Sequence, residues 1–321
     1  MARSTDLSFN RNDVCYPAVK TVLSALLILA LSPCAFAQAG TPTTVGAWYL
    51  LNEASDIHSG DLGCYSPSQV SFAYHNATIT LLHNPGAYSC GGYNGSNFST
   101  TQDYLSGSIM WHDLNYKPTA GNPITVEVKA ELAAGWPAIW FLGGDKAANT
   151  GCQTTSPQSW DNFSTCFWDQ DTPPNGDSAE IDIQEDIGTP PFTYTGQNVF
   201  MNGLSPDTGT SQTITDGTLN FHVYHLDWST TQVCWAIDGI QSRCETSQVP
   251  QQPMFLIIEN RVNSQSVPAA DLFPNTMTIQ YVQVCQGTAC TAPDSSGGNT
   301  LFLDDFNYAL APPTNLTATP H

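Results

Sequence analysis

Apolar and polar residues alternate in short runs bounded by turn residues, and no run keeps a helical period. Ala77-Thr78-Ile79-Thr80-Leu81-Leu82 and Ile124-Thr125-Val126-Glu127-Val128-Lys129 read as strands. So do Phe221-His222-Val223-Tyr224-His225-Leu226-Asp227-Trp228 and Val233-Cys234-Trp235-Ala236-Ile237. Met254-Phe255-Leu256-Ile257-Ile258 and Met277-Thr278-Ile279-Gln280-Tyr281-Val282 complete the set. Asp238-Gly239 marks a hairpin turn. With 24 Gly and 22 Pro spread among Thr, Ser and Asn, this pattern predicts an all-β chain folded as a two-sheet sandwich.

One strand candidate differs from the rest. Glu180-Ile181-Asp182-Ile183-Gln184-Glu185 places three acids in six residues of a chain that is only 11% charged. Residues two apart share a strand face, so Glu180 and Asp182 point one way and Glu185 the other. One extra residue, a β-bulge, turns Glu185 back onto their face. The strand then carries Glu, Asp and Glu on one side, the carboxylate pair of a retaining glycosidase with an Asp between them. Such an enzyme needs one ionised and one protonated acid, with carboxyl groups about 5–5.5 Å apart. Four effective strand steps leave the two Glu backbones about 13 Å apart, so their side chains must lean together. Solvated acids on a surface strand give the same letters, and Ile181 and Ile183 face the core in either case.

A formal charge of −20 disfavours nucleic acid, whose phosphates require a basic surface. The cations beyond residue 37 are Lys117, Lys129, Lys146, Arg243 and Arg261. At the N-terminus, Arg3, Arg11 and Lys20 precede the apolar run 22–31, and Ala35-Phe36-Ala37 supplies a small-residue cleavage site. Residues 1–37 therefore read as a signal peptide, and the protein is expected to be secreted, with no membrane association after cleavage. The eight remaining cysteines fit an oxidising compartment. Short separations suggest Cys152–Cys166, Cys234–Cys244 and Cys285–Cys290, leaving Cys64 with Cys90. No C-x-x-C pair is present to favour zinc. Residues 38–308 read as one large β domain and 309–321 as a Pro/Thr-rich, linker-like tail. The long polar stretch 143–178 is expected to form a cleft wall.

These residues resemble glycoside hydrolase family 16 in its bulged, laminarinase-like branch. The hexamer matches that branch's E-x-D-x-x-E signature. Gly135-Trp136-Pro137-Ala138-Ile139-Trp140-Phe141-Leu142 precedes it in the same order as in the family. Asp227-Trp228, Asp238-Gly239, Gln252-Pro253-Met254-Phe255-Leu256-Ile257 and Ile279-Gln280-Tyr281-Val282-Gln283-Val284 follow it. The resemblance spans about residues 66–286. It implies a jelly-roll β-sandwich (concanavalin A-like) with a concave glycan-binding cleft. It also implies Glu180 as nucleophile, Glu185 as general acid/base and Asp182 as the neighbour that tunes the nucleophile. The chain departs from the laminarinase pattern at Gln184, where that group carries Met, and at Gln197-Asn198, where a His is usual. Asn263-Ser264 also stands where a Gly-Gly pair is common. These departures are expected to lie near the substrate.

The leading expectation is a secreted endo-glycosidase hydrolysing β-1,3-glucan. Mixed-linkage glucan, agar, porphyran or carrageenan are alternative substrates, and a non-catalytic glycan-binding sandwich is the rival from another class. Trp136 and Trp140 share a strand face suited to pyranose stacking, and Trp168 in the long polar stretch offers a further platform. His222 and His225 fall on opposite strand faces and read as structural. No cofactor or catalytic metal is required, and a structural calcium is compatible with the reading. The expected partner is a polysaccharide, and the expected state is a monomer.

Overall fold

The computed structural model describes residues 43–51, 62–89, 101–111, 114–143, 179–188, 195–201, 214, 216–264, 267–287, 289–290 and 299–308. The expected signal peptide, the tail, Cys152–Cys166 and Trp168 lie outside the described residues, as does most of the expected cleft wall.

Two sheets form the sandwich. The front sheet runs β1 (Thr43–Val45), β2 (Trp48–Leu50), β7 (Ser108–Trp111), β16 (Met254–Arg261), β9 (Trp136–Gly143), β10 (Ala179–Asp186) and β11 (Thr195–Gly196). Strand β12 (Val199–Met201) also pairs with β10. The back sheet runs β15 (Ile240–Glu245), β14 (Val233–Ile237), β13 (His222–Trp228), β8 (Ile124–Glu131), β17 (Asn275–Gln286), β5 (Asn76–Ser89), β6 (Thr101–Ser106) and β3 (Gly63–Tyr65). Strands β4 (Val70–Ala73) and β18 (Thr300–Asp304) pair with β5 and β17. All pairings are antiparallel except β3 with β6.

The alternation read from the sequence builds the core. On β8, Val126, Val128 and Ala130 point inward, while Glu127, Lys129 and Glu131 do not. Tyr224, Leu226 and Trp228 of β13 and Val233, Trp235 and Ile237 of β14 are likewise buried. From the front sheet come Ile139 and Phe141 of β9, Leu256 and Ile258 of β16, and Ile181 of β10. Aromatic rings bridge the layers: Trp48 lies 6.2 Å from Trp111, Trp111 lies 5.6 Å from Phe141, and Phe141 lies 6.3 Å from Trp228. Each such side chain contributes about 1.5–3 kcal/mol by leaving water, so this seam fixes which face of the front sheet turns outward.

The Asp238-Gly239 hairpin forms as expected between β14 and β15, with φ of 50° and 77° at the two turn residues. Both angles lie in the left-handed region of a hairpin turn. The Cys234–Cys244 bridge joins residues that face each other across that hairpin, and Cys285–Cys290 closes the end of β17. Cys64 is disulfide-bonded, to a partner outside the described residues. His222 and His225 sit between carboxylates: His222 between Asp216 and Asp238, His225 between Glu127 and Asp227.

Candidate active site

The ladder between β9 and β10 shows why the three acids share a face. Glu180 lies opposite Leu142 and Asp182 opposite Trp140, but Glu185 lies opposite Ala138. The register shifts between Asp182 and Gln184, so Ile183 and Gln184 together oppose Ile139. That extra residue is the bulge, and it restores Glu185 to the side of Glu180 and Asp182.

The bulge is supported from below. The Trp235 indole N–H, from the back sheet, donates to the Asp182 carbonyl at 2.7 Å. The Asp182 amide donates to the Asn198 carbonyl at 2.9 Å. Gln184 does not face the acids. It opposes the inward-pointing Ile139, is fully buried, donates to Asp186 at 3.0 Å and accepts from Gln197 at 3.4 Å. The expectation that Gln184 lies near the substrate is therefore corrected: the bulge turns this residue into the sandwich, where an amide needs polar partners.

Asp182 is buried, whereas Glu180 and Glu185 are partly exposed. Desolvation, then the charges of Glu185 and Glu180 and a hydrogen bond with Glu180, push the Asp182 carboxyl well above the usual carboxylate range; Arg261 opposes this. A hydrogen bond between two carboxyl groups requires a proton between them, and burial favours Asp182 as its holder. Its Oδ2 and the Nε1 of Trp140, on residues directly opposite each other, are buried without a partner among the described residues.

Glu185 is held differently. Trp136 Nε1 donates to its Oε1 at 2.6 Å, and Arg261 Nη2 lies 3.6 Å from the same oxygen. The Arg261 guanidinium stacks 4.1 Å from the centre of the Trp136 ring. Strand register explains the grouping: Arg261 opposes Trp136, and Glu259, Ala138, Glu185 and Gly196 form one row across β16, β9, β10 and β11. Buried Glu259 accepts from Ser108 at 3.1 Å. Among the described residues, no group of His, Cys, Asp and Glu is arranged to hold a metal ion.

Trp136 and Trp140 share a strand face, and by register it is the face of the acids. Sequence reasoning missed Glu259, Arg261 and Gly196. The signal was an acid and a scarce cation placed directly after the apolar run Met254–Ile258.

Known proteins resemble this chain in sequence and in fold. Residues 158–282 match the family model of glycosyl hydrolases family 16. The match covers 125 of the 321 residues. A β-glucanase of Rhodothermus marinus is 23% identical over 214 residues, which is 60% of this chain and 64% of the relative. The chain thus spans less than two thirds of that curated relative's length. Among solved structures, an endo-β-1,3-glucanase from Pyrococcus furiosus superposes with a TM-score of 0.54 at 19% identity, over 80% of this chain and 93% of its own. A non-specific endo-β-1,3(4)-glucanase of family 16 gives a TM-score of 0.52 at 20% identity, over 78% and 89%. At these identities the likenesses to solved structures establish the jelly-roll fold.

Proposed function

We propose that this protein is a secreted, retaining endo-glycosidase that hydrolyses β-1,3-glucan, with Glu180 as nucleophile and Glu185 as general acid/base. The observation that carries the reading is the bulge in β10, which sets Glu180, Asp182 and Glu185 on one face with Asp182 hydrogen-bonded to Glu180. The Glu180 carboxylate attacks the anomeric carbon and forms a glycosyl ester as the bond to the departing oxygen breaks. Glu185 gives its proton to that oxygen, then takes one from the water that cleaves the ester. Asp182, kept protonated by burial, donates to Glu180 and holds its carboxylate in one orientation. Trp140 stands opposite Asp182 on the face of the acids, in reach of a sugar bound over them. The disulfides of the back sheet suit an extracellular setting.

The test is release of reducing ends from laminarin, with the anomer of the first product read by NMR. The parent should release the β-anomer, and Glu180→Gln and Glu185→Gln should each lose at least about a hundredfold in kcat. Parent-like rates in both variants would overturn the assignment. A mixed-linkage substrate is the second reading, favoured by the likeness to an endo-β-1,3(4)-glucanase. Lichenan hydrolysed at the laminarin rate would decide for it.

A further inference from the structure

The geometry points to Trp136 and Arg261 as positioning residues that decide which oxygen of Glu185 carries the catalytic proton. The inference rests on Glu185 acting as the acid/base. Both groups converge on Oε1: the Trp136 N–H at 2.6 Å and the Arg261 guanidinium at 3.6 Å. An oxygen that accepts an indole N–H beside a cation is a poor place for a proton, because both neighbours favour its negative form. The proton therefore resides on Oε2. That oxygen faces Gly196, where an added Cβ would stand 3.2 Å from Oε2 and 3.2 Å from the Glu185 Cβ. Gly196 and Ala138 flank Glu185 on its two neighbouring strands, so the row is kept small on both sides of the acid.

The support beneath Trp136 is equally specific. Asn260, fully buried, accepts from the Trp136 amide at 3.1 Å and donates to the Ala134 carbonyl at 3.0 Å. Gly135 between them has φ of 129°, and a Cβ there would meet Asn260 Oδ1 at 2.6 Å. The strand entry is thereby fixed, and the indole reaches Glu185 from one direction only. Trp136 is then no free stacking platform: Arg261 covers one face of its ring, and its N–H is engaged.

Several charges bear on Glu185. Asp182 and Glu180 lie along its own strand, Asp186 follows it on the opposite face, and Arg261 and Glu259 face it from β16. Its neighbours on β9, β11 and the turn after β11 are the neutral Trp136, Ala138, Gly196 and Asn198. Arg261 is the cation of this set, so its removal has a definite sign. The Glu185 pKa rises, and the acid stays protonated to higher pH.

The experiment measures kcat/KM against pH on laminarin for the parent, Trp136→Phe, Arg261→Gln and Gly196→Ala. Arg261→Gln should move the alkaline limb up by about one pH unit, and Trp136→Phe should move it the same way by less. Gly196→Ala should cut kcat about tenfold with little change in KM, since a methyl group crowds Oε2 while the strand is unstrained. An alkaline limb left in place by both Trp136→Phe and Arg261→Gln would overturn the positioning role. A parent-like kcat in Gly196→Ala would overturn the assignment to Oε2. Glu185→Gln, run alongside, separates the two levels. If it is inactive while the limbs stay fixed, only this inference fails; if it is fully active, the acid/base reading fails first.

Discussion

Replacing Trp235 by Phe should damage the acid strand from behind, across the whole thickness of the sandwich. Trp235 is fully buried in the back sheet, and its N–H serves the carbonyl of Asp182 at the residue where the ladder slips. Phe keeps the apolar ring but leaves that carbonyl without its donor, a loss of about 1–3 kcal/mol for a buried acceptor. The smaller ring also opens a void of roughly 40 Å³, which at about 24 cal/mol per Å³ adds about 1 kcal/mol. The expected destabilisation is about 2–4 kcal/mol, measured as the shift in urea unfolding at 25 °C. Trp228→Phe is the matched control. Trp228 is equally buried and donates to the Pro250 carbonyl at 3.0 Å, but it packs on Phe141 of β9 and serves no atom of β10. Both variants should lose similar stability, while only Trp235→Phe should lower kcat at temperatures where both stay folded. Equal loss of kcat in the two variants would refute a specific link between Trp235 and the bulge. So would a Trp235→Phe protein within about 0.5 kcal/mol of the parent.

Three further outcomes are expected. Burial disfavours the charged form of His225, yet hydrogen bonds to Asp227 and Glu127 outweigh it and raise the pKa from 6.5 to about 9. A raised histidine stabilises the fold fully below pH about 6.5 and loses that contribution as pH climbs through about 9, on the order of 3 kcal/mol in all. Urea midpoints from pH 6 to 10 should fall through that window in the parent, and His225→Gln should flatten the fall. Gly135→Ala should destabilise by about 2–4 kcal/mol, since its φ of 129° and the contact with Asn260 both reject a Cβ; thermal unfolding measures it. Replacing Cys234 and Cys244 together by Ser should cost at most about 3 kcal/mol. The hairpin already holds the pair face to face, and the difference in urea midpoint between parent and double variant, both without reductant, measures the loss.

The sandwich was legible because alternation is a local property. Val126, Val128 and Ala130 announce their burial within one strand, and the Asp238-Gly239 turn needs two residues. The acid face was legible for a related reason: Glu, Asp and Glu at those spacings share a side only if one residue is extra. The contacts of Glu185 were not legible, because they depend on register between β9 and β16, segments more than a hundred residues apart. Nothing near Trp136 says that Arg261 will lie opposite it, and nothing near Arg261 says that an indole will relay its position to an acid. Burial of Gln184 was missed because the same bulge that turns Glu185 outward turns Gln184 inward.

That inversion changes what Gln184 means. On the face of the acids, a Gln in place of Met would bear on the sugar. Inside the sandwich it bears on its neighbours: it sits between buried Asp186 and Gln197, and Gln197 is tied onward to Ser242 and, through its carbonyl, to Arg243 of β15. The two departures at Gln184 and Gln197 are therefore one feature, a hydrogen-bonded pair rather than independent changes. An apolar side chain at either position would strand the amide at the other, at about 1–3 kcal/mol. Gln184→Met alone should be destabilising for this reason, although Met is the usual residue in the resembling group. The polar layer joins the bulge to the edge of the back sheet. It sets the stability of the acid strand without touching the substrate, so substrate choice must be sought on the other face, at Trp140 and Asp182 and the row around Glu185.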